Sequence, residues 1–180
     1  MDKIKKVHEF VEEKCNLTSF KYHILDVVES AKFLLKSYPD ADETVVLLGA
    51  YLHDIGRDVV KQEDHENHGI EVVKNLLSEL DYDEETIKKV CECVAGHNLS
   101  NNININAEIV RNADAITNIR RCLLVVAHGF QINDFDFGNT FDWVNKKMNR
   151  NWNDKISLPE ARKKVEEHYK AFKFLIKELI

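Results

Sequence analysis

An adjacent pair, His53-Asp54, ends an apolar segment at residues 47–52. Imidazole and carboxylate groups are ligands for divalent metals such as Fe, Mn, Ni, Co and Zn. A polar side chain of this kind is costly to bury on an apolar helix unless something pairs with it, and a metal ion does so. His23 upstream and Asp114 downstream also lie in apolar, helix-like surroundings. If these four side chains converge, the chain contains a metal site.

Three further histidines could extend such a site. His65 and His68 are three residues apart in a segment of helical periodicity, so they can share one helix face. His97 ends the next predicted helix. With these side chains two metals could bind, and Asp54 could bridge them. The residues alone leave the number of metals open.

The bulk composition excludes several classes of protein. The chain has 180 residues, a net charge of −6 and no long basic block, which argues against a dedicated nucleic-acid surface. No apolar run approaches membrane-spanning length, so we expect no membrane partner and a cytoplasmic location.

The four cysteines include a C-x-C pair, Cys91 and Cys93, whose spacing favours reduced structural thiols over a zinc ribbon. No feature of the sequence predicts the oligomeric state.

Helical periodicity dominates the chain, which has only six glycines and two prolines. We therefore predict an all-α fold. Asp42 is a plausible N-cap for the helix that carries the His-Asp pair, and Ser157, before Pro159, is the expected N-cap of the last helix. The predicted helices cover about residues 2–14, 22–37, 42–54, 65–80, 83–97, 107–127 and 157–180.

The segment 130–153 is rich in Phe, Trp, Asn and Asp. One interpretation is an irregular segment that packs its aromatic side chains onto the helical body. The other is a lid or a wall of a substrate pocket. The sequence leaves the role of this segment open.

The order His, His-Asp, Asp, with Leu-His-Asp-Ile-Gly at its centre, resembles the HD-domain superfamily of metal-dependent phosphohydrolases. The resemblance covers about residues 20–120. It implies one all-α domain of the HD type over 1–180, with a helical C-terminal extension at 128–180. It also implies hydrolysis of a phosphate ester or nucleotide by a metal-activated water. The four implied metal ligands are His23, His53, Asp54 and Asp114.

Relatives that hold two metals have two further histidine ligands between the His-Asp pair and the last Asp. One of them commonly lies four residues before a glycine at the start of a helix. His65 has this spacing to Gly69, and His97 would be the other ligand. The resemblance therefore implies six ligands, with one or two divalent ions drawn from Fe, Mn, Ni, Co, Zn and Mg. In a one-metal site, His65 could instead contact substrate phosphate.

Family members often carry a lysine after the His-Asp-Ile-Gly motif, where it contacts substrate phosphate. Here that residue is Arg57, whose guanidinium keeps the charge and can bind phosphate through two nitrogens. Alternatively, Arg57 is a solvated side chain paired with Asp58 or Glu63. The resemblance implies catalytic roles for Asp54 and Arg57. Asp58 is a further candidate for a substrate contact, and His68, which is not at the family's ligand position, could contact substrate or support a ligand. Cyclic-dinucleotide phosphodiesterases carry Gly-Tyr-Pro where this chain has residues 98–100, Asn-Leu-Ser, which argues against that substrate.

Three functions follow from this resemblance. The first is a phosphohydrolase whose partner is a small phosphorylated substrate, nucleotides included. The second is a di-iron oxygenase of the HD type, which would use the same six ligands. The third is a non-catalytic binding module that the metal stabilises. Oxygen consumption would separate the second function from the first.

Overall fold

The computed structural model of the protein describes residues 3–16, 19–56, 65–96 and 104–179, without the side chains of 65–67 and 96. Arg57, Asp58 and His97 lie outside these residues, as does the side chain of His65. The chain divides into two compact units, Met1–Asp114 and Ala115–Ile180. No strand occurs within the described ranges, so the all-α prediction is confirmed.

The first unit is built from helices, and α3 lies at its centre. This helix packs against α1, α2 and α5, and α5 packs against α4. A π-helical turn at Phe20–Ile24 leads directly into α2. The helices are α1 (Lys3–Lys14), α2 (Leu25–Leu35), α3 (Glu43–Leu52), α4 (His65–Glu79), α5 (Glu84–Gly96) and α6 (Ile105–Arg120), the last of which continues into the second unit.

Helix α3 is buried on nearly all sides, as expected of a helix that is apolar around its whole circumference. Its start is fixed by Asp42, the predicted N-cap, whose side chain accepts a hydrogen bond of 3.1 Å from the Val45 N–H. The Asp42 N–H in turn donates to Oδ1 of the buried Asn106 on α6 at 2.8 Å. The start of α3 is thereby tied to α6.

The second unit continues α6 into α7 (Cys122–Ile132), α8 (Phe137–Arg150) and α9 (Pro159–Ile176). Helix α8 packs against α7 and α9 and ends in a π-helical turn at Asn151–Lys155. Its first turn is capped by Asp136, whose carboxylate accepts from the Asn139 N–H at 2.7 Å. Within the described part of the chain, no helix is both long and apolar enough to cross a membrane.

Three details of the predicted helices were wrong. The helix expected at 107–127 is two helices, because the backbone at Arg121 leaves the helical region (φ −101°, ψ 33°). The segment 130–153 is largely helical, with Thr140, Val144 and Met148 buried along one side of α8. The last helix has Leu158, and not Ser157, in the N-cap position.

Candidate metal site

His53 and Asp54 follow the last residue of α3, where helix carbonyls lack helical partners. His53 Nδ1 lies 2.9 Å from the carbonyl oxygen of Ala50, so this nitrogen donates its hydrogen there. Nε2 is then the nitrogen that carries the lone pair in the neutral ring. Metal-binding histidines almost always donate their other N–H in this way, which fixes the tautomer and the ring orientation.

His23 belongs to the π-helical turn Phe20–Ile24. In a π-helix the hydrogen bond spans one residue more than in an α-helix, which here joins the Leu25 N–H to the Phe20 carbonyl. Such turns are frequent at functional sites because they change where a side chain points without ending the helix. His23 Nε2 lies 3.2 Å from His53 Nε2, so the two ring nitrogens face each other.

The two carboxylates complete the cluster. Asp54 Oδ2 lies 3.4 Å from His23 Nε2 and 3.5 Å from His53 Nε2. Asp114, on α6, places Oδ1 3.5 Å from His23 Nε2. The structure therefore brings together His23, His53, Asp54 and Asp114 from three separate parts of the first unit.

The spacing of these atoms suits a metal ion. Four ligands placed tetrahedrally at about 2.0–2.1 Å from a zinc-sized ion lie roughly 3.3 Å from one another. The measured separations among His23, His53 and Asp54 are 3.2–3.5 Å, and their ligand atoms form a group that could hold an ion. The donor set, two imidazoles and two carboxylates, suits a divalent transition metal.

The electrostatics of the cluster also favour a bound cation. Burial disfavours the charged form of His53, yet the carboxylates of Asp54 and Asp114 outweigh that effect and raise the pKa of the ring. The end of α3 adds the partial negative charge of a helix C-terminus. The side chains of His23 and Asp54 keep 24% and 15% of their surface exposed, so a ligand can reach the cluster from solvent.

Close backbone packing positions the cluster, and the sequence analysis missed it. Gly49 lies one helical turn before His53, and a Cβ added there would lie 2.8 Å from Cβ of Cys93 on α5 and 3.1 Å from Cγ2 of Val110 on α6. Only glycine allows α3 to approach both helices this closely. The signal was a glycine inside an apolar helical run, which usually has a packing reason.

Helix α4 also approaches the site region. A Cβ added at Gly69 would lie 3.4 Å from the backbone nitrogen of Gly56, two residues after Asp54. His68, on the same helix, is exposed, and it is not part of the His23–His53–Asp54 group within the described residues. Its assignment as a substrate contact stays a prediction. The assignments of Arg57, Asp58, His65 and His97 concern side chains outside the described residues and also stay predictions.

Comparison with known proteins gives two findings. The sequence model of the family described as "HD domain" matches residues 20–119, a range that contains all four clustered side chains. The fold resembles the crystal structure of a predicted HD superfamily hydrolase from an uncultured Thermotogales bacterium. That likeness has a TM-score of 0.64 and 19% sequence identity, and covers 97% of this chain and 89% of that chain. No curated protein matches the sequence.

Proposed function

The chain belongs to the HD-domain family, and from this premise we propose that it is a metal-dependent phosphohydrolase. The observation that carries the proposal is the convergence of His23, His53 and Asp54, whose ligand atoms all lie within 4.8 Å of one another. Asp114 is the proposed fourth ligand. A phosphate ester or a nucleotide is the proposed substrate, and water is the proposed nucleophile.

A divalent metal in such a site lowers the pKa of a water molecule and polarises a phosphoryl oxygen. The chain's own groups prepare the site for this chemistry. The Ala50 carbonyl holds the His53 ring with Nε2 directed at the cluster. Asp54 is the proposed group that orients the attacking water, because it is a partly exposed carboxylate beside both histidines.

Binding of an anionic substrate needs positive charge, since the cluster's own carboxylates repel phosphate. The metal supplies part of it, and we propose that Arg57 supplies the rest by binding phosphate oxygens through two nitrogens. His65 and His97 are the proposed ligands of a second metal. The approach of α4 to the backbone of Gly56 supports this extension, because His65 is the first residue of α4.

The experiment that tests the proposal is hydrolysis of a broad panel of phosphate esters and nucleotides by protein loaded with Mn²⁺, Fe²⁺, Co²⁺, Ni²⁺ or Zn²⁺. The metal content is measured on the same samples by elemental analysis. We expect one or two metals per chain and release of inorganic phosphate or of a nucleoside monophosphate. Asp54→Asn is expected to reduce kcat about a hundredfold or more, since it removes a ligand and the group beside the water.

His168→Gln is the matched control, because His168 is an exposed histidine of α9 in the second unit. This variant should keep both its metal and its activity, whereas His53→Gln should lose both. Protein that retains its metal and hydrolyses no member of the panel would contradict the proposal. Oxygen uptake with an organic substrate by the iron-loaded form would instead favour the oxygenase chemistry.

A further inference from the structure

Helix α7 has an unusual surface for its composition. Its sequence, Cys122–Ile132, contains no Asp, Glu, Lys or Arg, yet only Val125 and Gly129 are buried. Leu123 is 77% exposed and Leu124 is 38% exposed. An uncharged, largely apolar helix is normally covered on most sides. One side of α7 is covered by α8, and the opposite side consists of apolar and uncharged residues that face solvent.

The turn after α7 extends this surface with aromatic rings. Phe130 contacts Phe135, Phe137 and Phe141, at ring-centroid distances of 6.3, 5.0 and 5.8 Å. Phe135 and Phe137 are nevertheless 70% and 69% exposed. Phe135 also has a positive φ of 60°, which is rare for a bulky residue. The fold thus holds a strained backbone in the turn that exposes an aromatic ring, a feature common at binding sites.

The two ends of α7 carry opposite charges. Arg120 and Arg121 precede the helix, and Asp134 and Asp136 follow it, all four of them exposed. A surface that is basic at one end, apolar in the middle and acidic at the other is complementary to itself when the second copy runs in the opposite direction. A twofold axis through the middle of such a helix produces that arrangement.

We propose that this surface, the exposed side of α7 with the following turn to Phe137, binds the same surface of a second copy of the chain. An antiparallel pairing centred on Ala127 brings the basic end of one copy, with Arg120, to the acidic end of the other, with Asp134. It also places Leu124 opposite Phe130. Ala127, which is small and exposed, allows the two helices to approach closely at the crossing point.

Sedimentation velocity of the full chain over a range of micromolar concentrations tests the pairing. We expect a reversible dimer in the wild-type protein. Leu123→Asp should raise the dissociation constant at least about tenfold, because it buries a carboxylate in an apolar contact. Thermal melting of the variant should match that of a monomeric wild-type sample, since Leu123 is exposed within its own chain.

The matched control is Leu175→Asp, at a leucine of α9 that is 63% exposed and outside the proposed surface. It should leave the dissociation constant unchanged. A wild-type protein that stays monomeric overturns the proposal, and it would leave the surface to a different protein. A dimer that Leu123→Asp does not weaken, or that Leu175→Asp weakens equally, overturns it as well.

Charge reversal tests the antiparallel direction. Arg120→Glu and Asp134→Lys should each weaken the dimer several-fold by placing like charges opposite each other. The double variant exchanges the two charges and should restore the affinity of the wild-type protein. If the double variant is weaker than either single variant, the two residues do not face each other and the proposed pairing is wrong. Melting curves of all three variants establish that each is folded.

Discussion

Helix α3 is the most apolar helix described in the first unit, and α7 is the most apolar in the second. The fold uses these two helices in opposite ways. Helix α3 is surrounded by α1, α2 and α5, and His53 and Asp54, which follow its last turn, belong to the candidate metal site. Helix α7 buries only Val125 and Gly129 and leaves Leu123, Leu124 and Ile132 exposed. Apolar composition alone therefore does not tell a core helix from an interaction surface, because the surrounding elements decide which one it becomes.

The largest expected difference between the two helices is in how far a leucine-to-alanine substitution lowers the free energy of unfolding. Leu48→Ala on α3 should lower the free energy of unfolding by about 2–5 kcal/mol, because it leaves a cavity in the core. Leu123→Ala on α7 should change it by less than about 0.5 kcal/mol, since that leucine is exposed. Urea denaturation of the monomeric protein measures both values. Equal losses would contradict the contrast between the helices.

A series of glycine substitutions compares how closely the helices approach their neighbours. A Cβ at Gly49 on α3 would meet a backbone-linked Cβ of Cys93 at 2.8 Å, whereas at Gly129 on α7 the nearest atoms are side-chain carbons of α8 at 3.1–3.2 Å. Gly49→Ala should therefore destabilise by about 1–3 kcal/mol and Gly129→Ala by less.

Gly138→Ala is the control for this series, because Gly138 is an exposed helical position where an added Cβ would lie 3.6 Å from Oδ1 of Asp136. Here alanine should be neutral or stabilise by up to about 1 kcal/mol, as its higher helix propensity predicts. Thermal melts of the three variants give the order. A Gly49→Ala variant as stable as Gly138→Ala would show that α3 has room to move.

Alkaline pH should weaken the core around α3 through Cys93. Burial raises the pKa of this thiol from 9.0 to about 12. The folded protein therefore keeps a proton that the unfolded chain releases above pH 9.0, so stability that is complete below that pH is lost as the pH rises toward 12. The loss is about 1.4 kcal/mol per pH unit.

The measurement is the free energy of unfolding of wild-type protein and of Cys93→Ala at about pH 8 to 10.5, a range that spans the onset of this linkage. The advantage of the wild-type protein should shrink above pH 9.0. Cys122→Ala, at a less buried cysteine that begins α7, is the control and should show a weaker dependence. Parallel curves for wild-type protein and Cys93→Ala would contradict the assignment.

The smallest expected effect concerns the tie between α3 and α6. Asn106→Ala removes the acceptor of the Asp42 N–H and should lower the free energy of unfolding by about 1 kcal/mol. If the tie also positions the cluster, metal affinity should fall several-fold. Asn104→Ala is a useful comparison, since Asn104 caps α6 through the Ala107 N–H without contacting α3 through that bond. An equal loss of metal affinity in both variants would argue against a positioning role for Asn106.

The sequence predicted the all-α class and the residues of the cluster because His53-Asp54 and Asp114 are polar intrusions on apolar helices. It did not predict the π-helical turn that carries His23, since one extra residue in a helical turn leaves no compositional mark. Membership of the HD-domain family was also predicted and is confirmed. The metal-binding role of each residue stays a prediction that the experiments above address.

The errors lie where local signals are weak or compete. Asn and Asp residues along α8 have poor helix propensity, and they hid the spacing of Thr140, Val144 and Met148. The break at Arg121 contains neither Gly nor Pro, so no local signal separates α6 from α7. The contact of Gly49 with Cys93 joins residues far apart in the chain, and a single sequence does not reveal such pairs.

The hydrogen bond from His53 to the Ala50 carbonyl has a consequence for the evolution of this protein. The same ring that faces the cluster through one nitrogen satisfies a carbonyl of the last turn of α3 through the other. A mutation at position 53 therefore removes a proposed metal ligand and a hydrogen bond at the end of α3 in one step. Because one ring makes both contacts, a substitution at position 53 is exposed to selection on folding as well as on the proposed metal binding.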